Sequence, residues 1–148
     1  MGKKQRRKGL FQSPKGMHDI LPQDQIWWER VRKEVKEIAD SYNFLRIDAV
    51  LLEDLVLFER SLGATSDIVE KQMFSIKTKA DDVLALRPEG TVSVARAYIE
   101  HGLSSISQPL KLYYVGPMFR YEELESGRLR QFYQAGFEII GGDGDAVY

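Results

Sequence analysis

The first clear pattern along the chain is an amphipathic helix. Apolar residues recur at intervals of three or four positions, at Trp27, Val31, Val35, Ile38 and Tyr42. That spacing places them on one face of an α-helix. Pro22 stands just ahead of them and suits a first helical turn, where its missing N–H is not needed. We therefore predict a helix from residue 22 to residue 42.

The rest of the chain alternates strand-like runs with two shorter helices. Strands are predicted over residues 45–52, 68–76, 83–86, 110–122 and 131–140. Helices are predicted over residues 53–63 and 91–101, with Gly63 and Gly102 ending them. The charged stretch with Gly127 between the last two strands is typical of a long hairpin loop. This order predicts an α+β fold with an antiparallel sheet rather than regular βαβ winding.

The last two strands each have an apolar face, since alternate residues of a strand share a side. In the first of them that face is formed by Tyr113, Val115, Pro117, Phe119 and Tyr121. In the second it is formed by Gln131, Tyr133, Ala135, Phe137 and Ile139. We expect the face of the second strand to pack on the core.

The opposite faces of these strands collect polar chemistry. They carry a guanidinium, an amide, two carboxylates and an aromatic ring, from Arg120, Gln134, Glu122, Glu138 and Phe132. With a hairpin centred near Ser126, Arg120 lies roughly opposite residues 132–134. Gly116 and Gly136 lie among them and leave room for a ligand or another backbone. We predict a floor for a small polar ligand. The alternative is a solvent-facing surface with cross-strand ion pairs.

A second candidate is the segment Leu86-Arg-Pro-Glu-Gly-Thr91, where a strand end runs into a helix start. The Gly-Thr pair can cap the helix and leave backbone N–H groups open to an anion. Glu89 would then lie just outside the helix, placed to meet an ammonium group. Simple helix capping is the alternative.

The hairpin loop holds two arginines, Arg128 and Arg130, which with Arg120 are suited to phosphate or carboxylate. Three glutamates, Glu122, Glu123 and Glu125, interleave with them. A surface ladder of ion pairs is therefore the alternative to an anion site.

Composition narrows the class of protein. The chain has 148 residues, 43% of them hydrophobic, and a formal net charge of -1, which is typical of a globular domain. It has no cysteine, which excludes a disulfide scaffold, a Cys-ligated zinc site and a thiol nucleophile. Two distant histidines cannot alone build a metal site, so we assign no metal ligands.

No apolar run approaches the roughly 18 residues of a membrane span. Without a signal peptide either, we expect a cytoplasmic protein.

Charge is concentrated at the N-terminus, where five of the first eight residues are Lys or Arg. We predict that residues 1–10 form a solvated, disordered basic arm. An arm that contacts phosphate is the alternative.

Four segments together resemble the histidyl-tRNA synthetase family of class II aminoacyl-tRNA synthetases. Residues 117–122, 127–134 and 136–141 look like motif 2 of that family, and Leu86-Arg-Pro-Glu-Gly-Thr91 is similar to its amino-acid-binding segment. Residues 15–22 look like its N-terminal signature, and residues 52–69 resemble its motif 1 region. The resemblance runs in order from residue 11 to the end of the sequence. It implies that residues 11–148 are the N-terminal half of a catalytic domain, with motif 3 and the anticodon-binding domain absent.

For ATP, the resemblance implies four site residues. Arg120 would be the catalytic residue, binding the α-phosphate and the substrate carboxylate. Glu122 and Arg128 would lie over the adenine and the outer phosphates. Phe132 would stack on the adenine ring.

For histidine, the resemblance implies a second set that shares Arg120. The backbone end of histidine, mainly its ammonium, would be received by Glu89, Gly90, Thr91 and Gln134. Glu138 would meet the imidazole.

The implied activity is histidine–tRNA ligation, with ATP as substrate, Mg²⁺ as cofactor and tRNA(His) as partner. The family implies a homodimer, but Val50 stands where its motif 1 usually has a proline, so the dimer geometry is open. Because motif 3 is absent, we expect the 148-residue chain alone not to complete aminoacylation. The alternatives are a histidine-sensing regulatory subunit of ATP phosphoribosyltransferase and a non-catalytic binding fragment. Retention of the Pro-Glu-Gly-Thr stretch favours the synthetase.

Overall fold

The chain is described by a computed structural model over residues 11–123 and 127–142. The basic arm predicted at residues 1–10 lies outside the described residues. The helices are α1 (Gln25–Ser41), α2 (Leu55–Leu62) and α3 (Thr91–Glu100). The strands are β1 (Leu45–Arg46), β2 (Leu52–Asp54), β3 (Ser75–Lys77), β4 (Val83–Leu86), β5 (Leu110–Phe119) and β6 (Gln131–Ile140).

These strands form two three-stranded sheets, ordered β1-β5-β6 and β2-β4-β3. Antiparallel pairing dominates, and β5 pairs with β6 over ten residues, from Leu110 opposite Ile140 to Phe119 opposite Gln131. The short pair between β1 and β5 is parallel. The predicted α+β class with antiparallel sheets is confirmed.

The core lies on the side of β5 and β6 that faces α3. A buried cluster there joins Val94 of α3 to alternate residues of β5, namely Leu110, Leu112, Tyr114 and Met118. The prediction for β6 was therefore wrong, because its Tyr133 and Phe137 each remain 40% exposed on the other side. On that side Trp28 and Phe44 contact them edge-on, at ring-centroid distances of 4.5 and 5.1 Å. α3 buries Val92, Val94 and Ala97, whereas Ala39 is the buried residue of α1, so the face toward α3 is the more fully covered one.

Most predicted elements are confirmed, including α1, β4, α3 and the full length of β6. Gly102 ends α3 in the left-handed conformation, with φ of 61°. The strand predicted over residues 110–122 stops at Phe119, because the Tyr121 N–H leaves the ladder and donates to Gln72 O at 2.6 Å.

Two predicted strands are wrong. The run 45–52 divides into β1 and β2, because the carbonyls of Ala49 and Val50 accept hydrogen bonds from the Arg87 side chain instead of a neighbouring strand. The run Ile68–Gln72 forms a π-helical turn, and the strand is confined to Ser75–Lys77. Local polar contacts stabilise that turn, since the Val69 N–H donates to Ser66 Oγ.

An ion pair ties β2 to α3 beneath the site. Arg96 donates to the Glu53 carboxylate at 2.7 Å, and Glu53 is 7% exposed. A carboxylate so far from water requires its partner, since breaking such a pair leaves a buried charge uncompensated. The bond fixes α3, whose first turn supplies part of the candidate site.

Candidate functional site

The candidate site lies where the first turn of α3 meets the inner face of β5 and β6. Gly136 pairs with Tyr114, Gln134 with Gly116 and Phe132 with Met118, so these residues share the face. The segment Arg87–Gly90, between β4 and α3, borders it. The residues predicted to bind histidine, apart from Arg120, thus come from β6, from the first turn of α3 and from this segment.

Glu89 caps α3 with its own carboxylate. Its two oxygens accept hydrogen bonds from the backbone N–H groups of Thr91 and Val92, at 2.7 and 2.8 Å. The prediction that these N–H groups stay open to an anion was therefore wrong. Glu89 is only partly buried, so its carboxylate oxygens can accept further hydrogen bonds from a cation.

Thr91 and Glu138 form a second acceptor group. Thr91 Oγ1 donates to Glu138 Oε1 at 2.7 Å. Because a carboxylate has about four lone-pair sites, this bond leaves Glu138 able to accept from a ligand as well. The bond also fixes the rotamer of Glu138 against the first turn of α3.

Gln134 provides the clearest sign of an absent partner. Its Oε1 is buried and has no hydrogen-bond partner among the described residues. A buried acceptor left unsatisfied costs about 1–3 kcal/mol, so such atoms in a native fold call for an explanation. Together with Glu89 and Glu138 it makes this part of the face rich in acceptors.

The glycines of this face make room for side chains of the protein. A Cβ placed on Gly90 or on Gly136 would overlap the ring of Tyr114, which is 4% exposed. A Cβ on Gly116 would lie 2.5 Å from the Arg87 guanidinium. The expectation that Gly116 and Gly136 leave room for a ligand or another backbone is therefore corrected, because the side chains of Arg87 and Tyr114 occupy these positions.

Tyr114 is a site residue that sequence reasoning missed. Burial raises the pKa of its hydroxyl, a rise to which Glu138 and Glu89 add, and a hydrogen bond with Thr91 opposes it. The phenol therefore stays neutral, and its hydrogen bond with Thr91 connects it to the Thr91–Glu138 pair. The glycines in the strand were the available signal, since they mark close approach as readily as an open pocket.

Arg120 directly follows β5 and lies two to four residues from its predicted position in the register. Its N–H donates to Arg130 O, so it pairs with residue 130 rather than with residues 132–134. Its Nε donates to Pro88 O at 2.9 Å, and its Cζ lies 5.2 Å from the Phe132 ring centroid. The guanidinium forms no ion pair with a carboxylate of the described residues, so its remaining N–H groups can serve an anion.

The charged side chains of the hairpin loop form part of the ladder of ion pairs that was the alternative to an anion site. Arg128 pairs with Glu122 at 3.5 Å, and Arg130 lies over the Tyr121 ring at 3.8 Å. A polar cavity of about 460 Å³ opens beside them, lined by Lys71, Gln72, Tyr121, Glu122, Glu123, Arg128 and Arg130. The predicted centre of the hairpin, Ser126, and Glu125 lie outside the described residues.

A smaller cavity of about 240 Å³ reaches Phe132 from the N-terminal segment, near His18 and Asp19. Gly16 O accepts from the N–H groups of Arg130 and Gln131, which holds this segment along the start of β6. One side of the Phe132 ring thus faces Arg120 and another faces a space.

Comparison with known proteins identifies the family. A model of histidyl-tRNA synthetase matches residues 16–147. The chain belongs to the histidyl-tRNA synthetase family. Histidine–tRNA ligases of Dehalococcoides mccartyi and Desulfitobacterium hafniense are 48% and 46% identical to it, over 89% and 90% of the chain. It spans 32% and 31% of those proteins, or about a third of the curated relatives it matches.

Solved structures agree with this membership. Apo histidyl-tRNA synthetase of Staphylococcus aureus is 38% identical with a TM-score of 0.74, over 90% of this chain and 30% of that one. A Bacillus halodurans protein described as an ATP phosphoribosyltransferase regulatory subunit/histidyl-tRNA synthetase is 28% identical with a TM-score of 0.75. That likeness covers 93% of this chain and 34% of the other. The class II synthetase-like α+β fold is thereby confirmed.

Two further observations concern the described residues only. No helix among them is long and apolar enough to cross a membrane. They contain no group of three or more His, Asp or Glu side chains that could hold a metal ion.

Proposed function

We propose that the protein carrying this chain is a histidine–tRNA ligase that activates histidine with ATP and transfers it to tRNA(His). The observation that supports it most is the buried Gln134 Oε1, which has no hydrogen-bond partner among the described residues and lies on the same face of β6 as Glu138. A site rich in acceptors suits a ligand rich in donors. Histidine supplies an ammonium and an imidazole N–H.

The two ends of histidine would bind to different members of this set. The ammonium would donate to Glu89, Gln134 and the Thr91 hydroxyl, next to Gly90. The imidazole would donate to Glu138, whose carboxylate Thr91 already orients. A site built around such hydrogen bonds rejects apolar isosteres, because its buried acceptors would be left unpaired.

ATP would lie toward the hairpin end of the same face. Phe132 would stack on the adenine, with Arg120 binding the α-phosphate and the histidine carboxylate. Glu122 and Arg128 border the polar cavity, and in our proposal they take the adenine and the outer phosphates. Arginine suits these contacts because its planar donors match phosphate and carboxylate oxygens.

In the first step, a histidine carboxylate oxygen bonds to the α-phosphorus while the bond to the leaving pyrophosphate breaks. Arg120 would stabilise the charge that develops on the α-phosphate, which makes it the catalytic residue by electrostatics and positioning. In the second step, a terminal hydroxyl of tRNA(His) attacks the acyl carbon and AMP leaves. We propose that Mg²⁺ arrives bound to the ATP phosphates, as part of the substrate.

The assembly and location of the protein are also proposals. Three consecutive apolar side chains, Val50, Leu51 and Leu52, are exposed in the motif 1 region. Their exposure supports a homodimer that covers them, despite Val50 in place of proline. Translation of histidine codons would place the protein in the cytoplasm.

Aminoacylation of purified tRNA(His) by the complete protein tests this function. We expect histidyl-tRNA to accumulate with ATP and histidine present, and not when either is omitted. A protein that binds histidine, charges no tRNA and instead alters the activity of an ATP phosphoribosyltransferase would overturn the proposal in favour of the regulatory alternative.

A further inference from the structure

Arg87, the residue before Pro88 in the segment leading to α3, is a buried cation that forms no ion pair with an acid of the described residues. The residue is 5% exposed. The acids nearest to it are engaged elsewhere, since Asp48 pairs with Arg46 and Glu53 pairs with Arg96. Burial accordingly lowers the pKa of Arg87. Burying a charge costs free energy unless hydrogen bonds compensate it. The acceptors that bind the Arg87 guanidinium therefore indicate its role in the structure.

The guanidinium donates to backbone carbonyls from two separate segments. Nε donates to Pro117 O at 3.2 Å, and Nη1 donates to Ala49 O at 2.9 Å and to Val50 O at 3.4 Å. Pro117 belongs to β5 in one sheet, whereas residues 49 and 50 lead into β2 of the other. The side chain therefore joins the two sheets, which no lysine could do with the same planar set of donors.

The backbone of Arg87 adds two more bonds to the same place. Its N–H donates to Leu51 O, and its carbonyl accepts from the Phe119 N–H, both at 3.0 Å. Gly116 completes the arrangement, because any Cβ there would lie 2.5 Å from Arg87 Nη2. Both the backbone and the side chain of Arg87 thus form hydrogen bonds with the end of β5.

These contacts end at the candidate catalytic residue. Arg120 follows Phe119 directly, and its Nε donates to the carbonyl of Pro88, the residue after Arg87. The acceptor that orients the Arg120 guanidinium and the strand that carries it are therefore both held by Arg87. A shift of the Arg87–Pro88 backbone would move both.

We propose that Arg87 is a positioning residue that holds Arg120 in the orientation that binds the anion. The catalytic role of Arg120 rests on the proposed function, whereas the contacts between Arg87 and the Arg120 region do not depend on it. It adds a residue outside the ligand-contacting set to the machinery of the site.

The kinetic test is a double-mutant cycle on the complete protein, read by histidine-dependent ATP–pyrophosphate exchange. Arg87→Lys should lower kcat on the order of 10- to 100-fold with the KM for histidine little changed, since small displacements of catalytic groups cost rates of that size. Combining it with Arg120→Ala should cost no more than Arg120→Ala alone, because residues acting through one group are not additive. Arg30→Lys, the matched control on the exposed surface of α1, should leave the rate unchanged both alone and in combination with Arg120→Ala.

A second measurement does not depend on activity. The Nε–H signal of Arg120, assigned by its loss in Arg120→Ala, should shift and exchange faster with solvent in Arg87→Lys, and stay unchanged in Arg30→Lys. Multiplicative losses in the cycle, or an unmoved Arg120 signal, would overturn the positioning role. Absence of exchange activity in the wild-type protein, with the signal moved as expected, would instead contradict the proposed function and leave the positioning role standing.

Discussion

Thr91 Oγ1 and Glu138 Oε1 are joined by a hydrogen bond of 2.7 Å that links the first turn of α3 to β6. The two residues are 47 positions apart in the sequence. Their bond turns two candidate ligand contacts into one unit. It makes the orientation of Glu138 depend on the start of α3, and that start is itself capped by Glu89.

Replacing Glu138 by glutamine should weaken the use of histidine much more than the binding of ATP. A neutral amide keeps the size but loses the charge, and hydrogen bonds to charged groups contribute about 1.5–3 kcal/mol, so the KM for histidine should rise on the order of 10- to 100-fold. The measurement is exchange kinetics with each substrate varied in turn. Glu29→Gln, on the exposed surface of α1, is the control. Equal losses for both substrates would contradict the assignment of Glu138 to the imidazole.

Replacing Gly136 by alanine should destabilise the fold, because the added methyl group would overlap the Tyr114 ring. Forcing extra volume into a packed site costs about 1–3 kcal/mol, which denaturant unfolding can measure. Combined with Tyr114→Leu, the substitution should cost less than the sum of the two single effects. Additive costs would show that Tyr114 does not fill the space above Gly136. Ala135→Ser, on the opposite side of β6, should change stability little.

Replacing Ser93 by alanine should leave stability unchanged or raise it. Ser93 is fully buried in α3, and its Oγ has no hydrogen-bond partner among the described residues. Removing an unsatisfied hydroxyl relieves a desolvation penalty of about 1–3 kcal/mol, against the small cost of lost packing. A clear loss of stability in the Ser93→Ala protein would mean that the hydroxyl has a partner.

Alkaline pH should destabilise the fold partly through Tyr114. Its pKa is raised in the folded state, so the folded form favours the protonated phenol. That stabilisation is complete below the ordinary tyrosine pKa of about 10 and is lost as pH rises through the higher folded value. The measurement is the unfolding midpoint of wild type and of Tyr114→Phe from about pH 9 to about pH 11, one unit on either side of the ordinary tyrosine pKa. The midpoint should fall less steeply with pH in the variant. Parallel slopes would contradict the role of burial.

The sequence predicted the elements best where periodicity was strong and contacts were local. The stripe from Trp27 to Tyr42 gave α1, and the alternation of residues 131–140 gave β6 with its correct ends. The prediction failed over residues 45–52, which have the apolar composition of a strand. There the buried Arg87, 37 or 38 residues away, donates hydrogen bonds to two backbone carbonyls of the run. No local pattern contains that information.

The same distinction applies to the candidate site. Alternation along the strands correctly placed Gln134 and Glu138 on one face, and the Pro-Glu-Gly-Thr stretch correctly indicated a helix start. The apolar side of β6 was assigned to the core wrongly, because which face a helix covers depends on the tertiary placement of α3. The glycines signalled close approach, but whether Tyr114, Arg87 or a ligand approaches is decided only by packing.

Amino-acid-dependent ATP–pyrophosphate exchange by the complete protein tests the central claim most directly. Exchange measures adenylate formation alone, so it requires only the histidine and ATP parts of the site. The account predicts exchange with histidine and none with glutamine, phenylalanine or other amino acids, and a large fall to a residual, measurable rate in Arg120→Ala. Absence of exchange with histidine, or comparable exchange with amino acids that lack the imidazole, would contradict it.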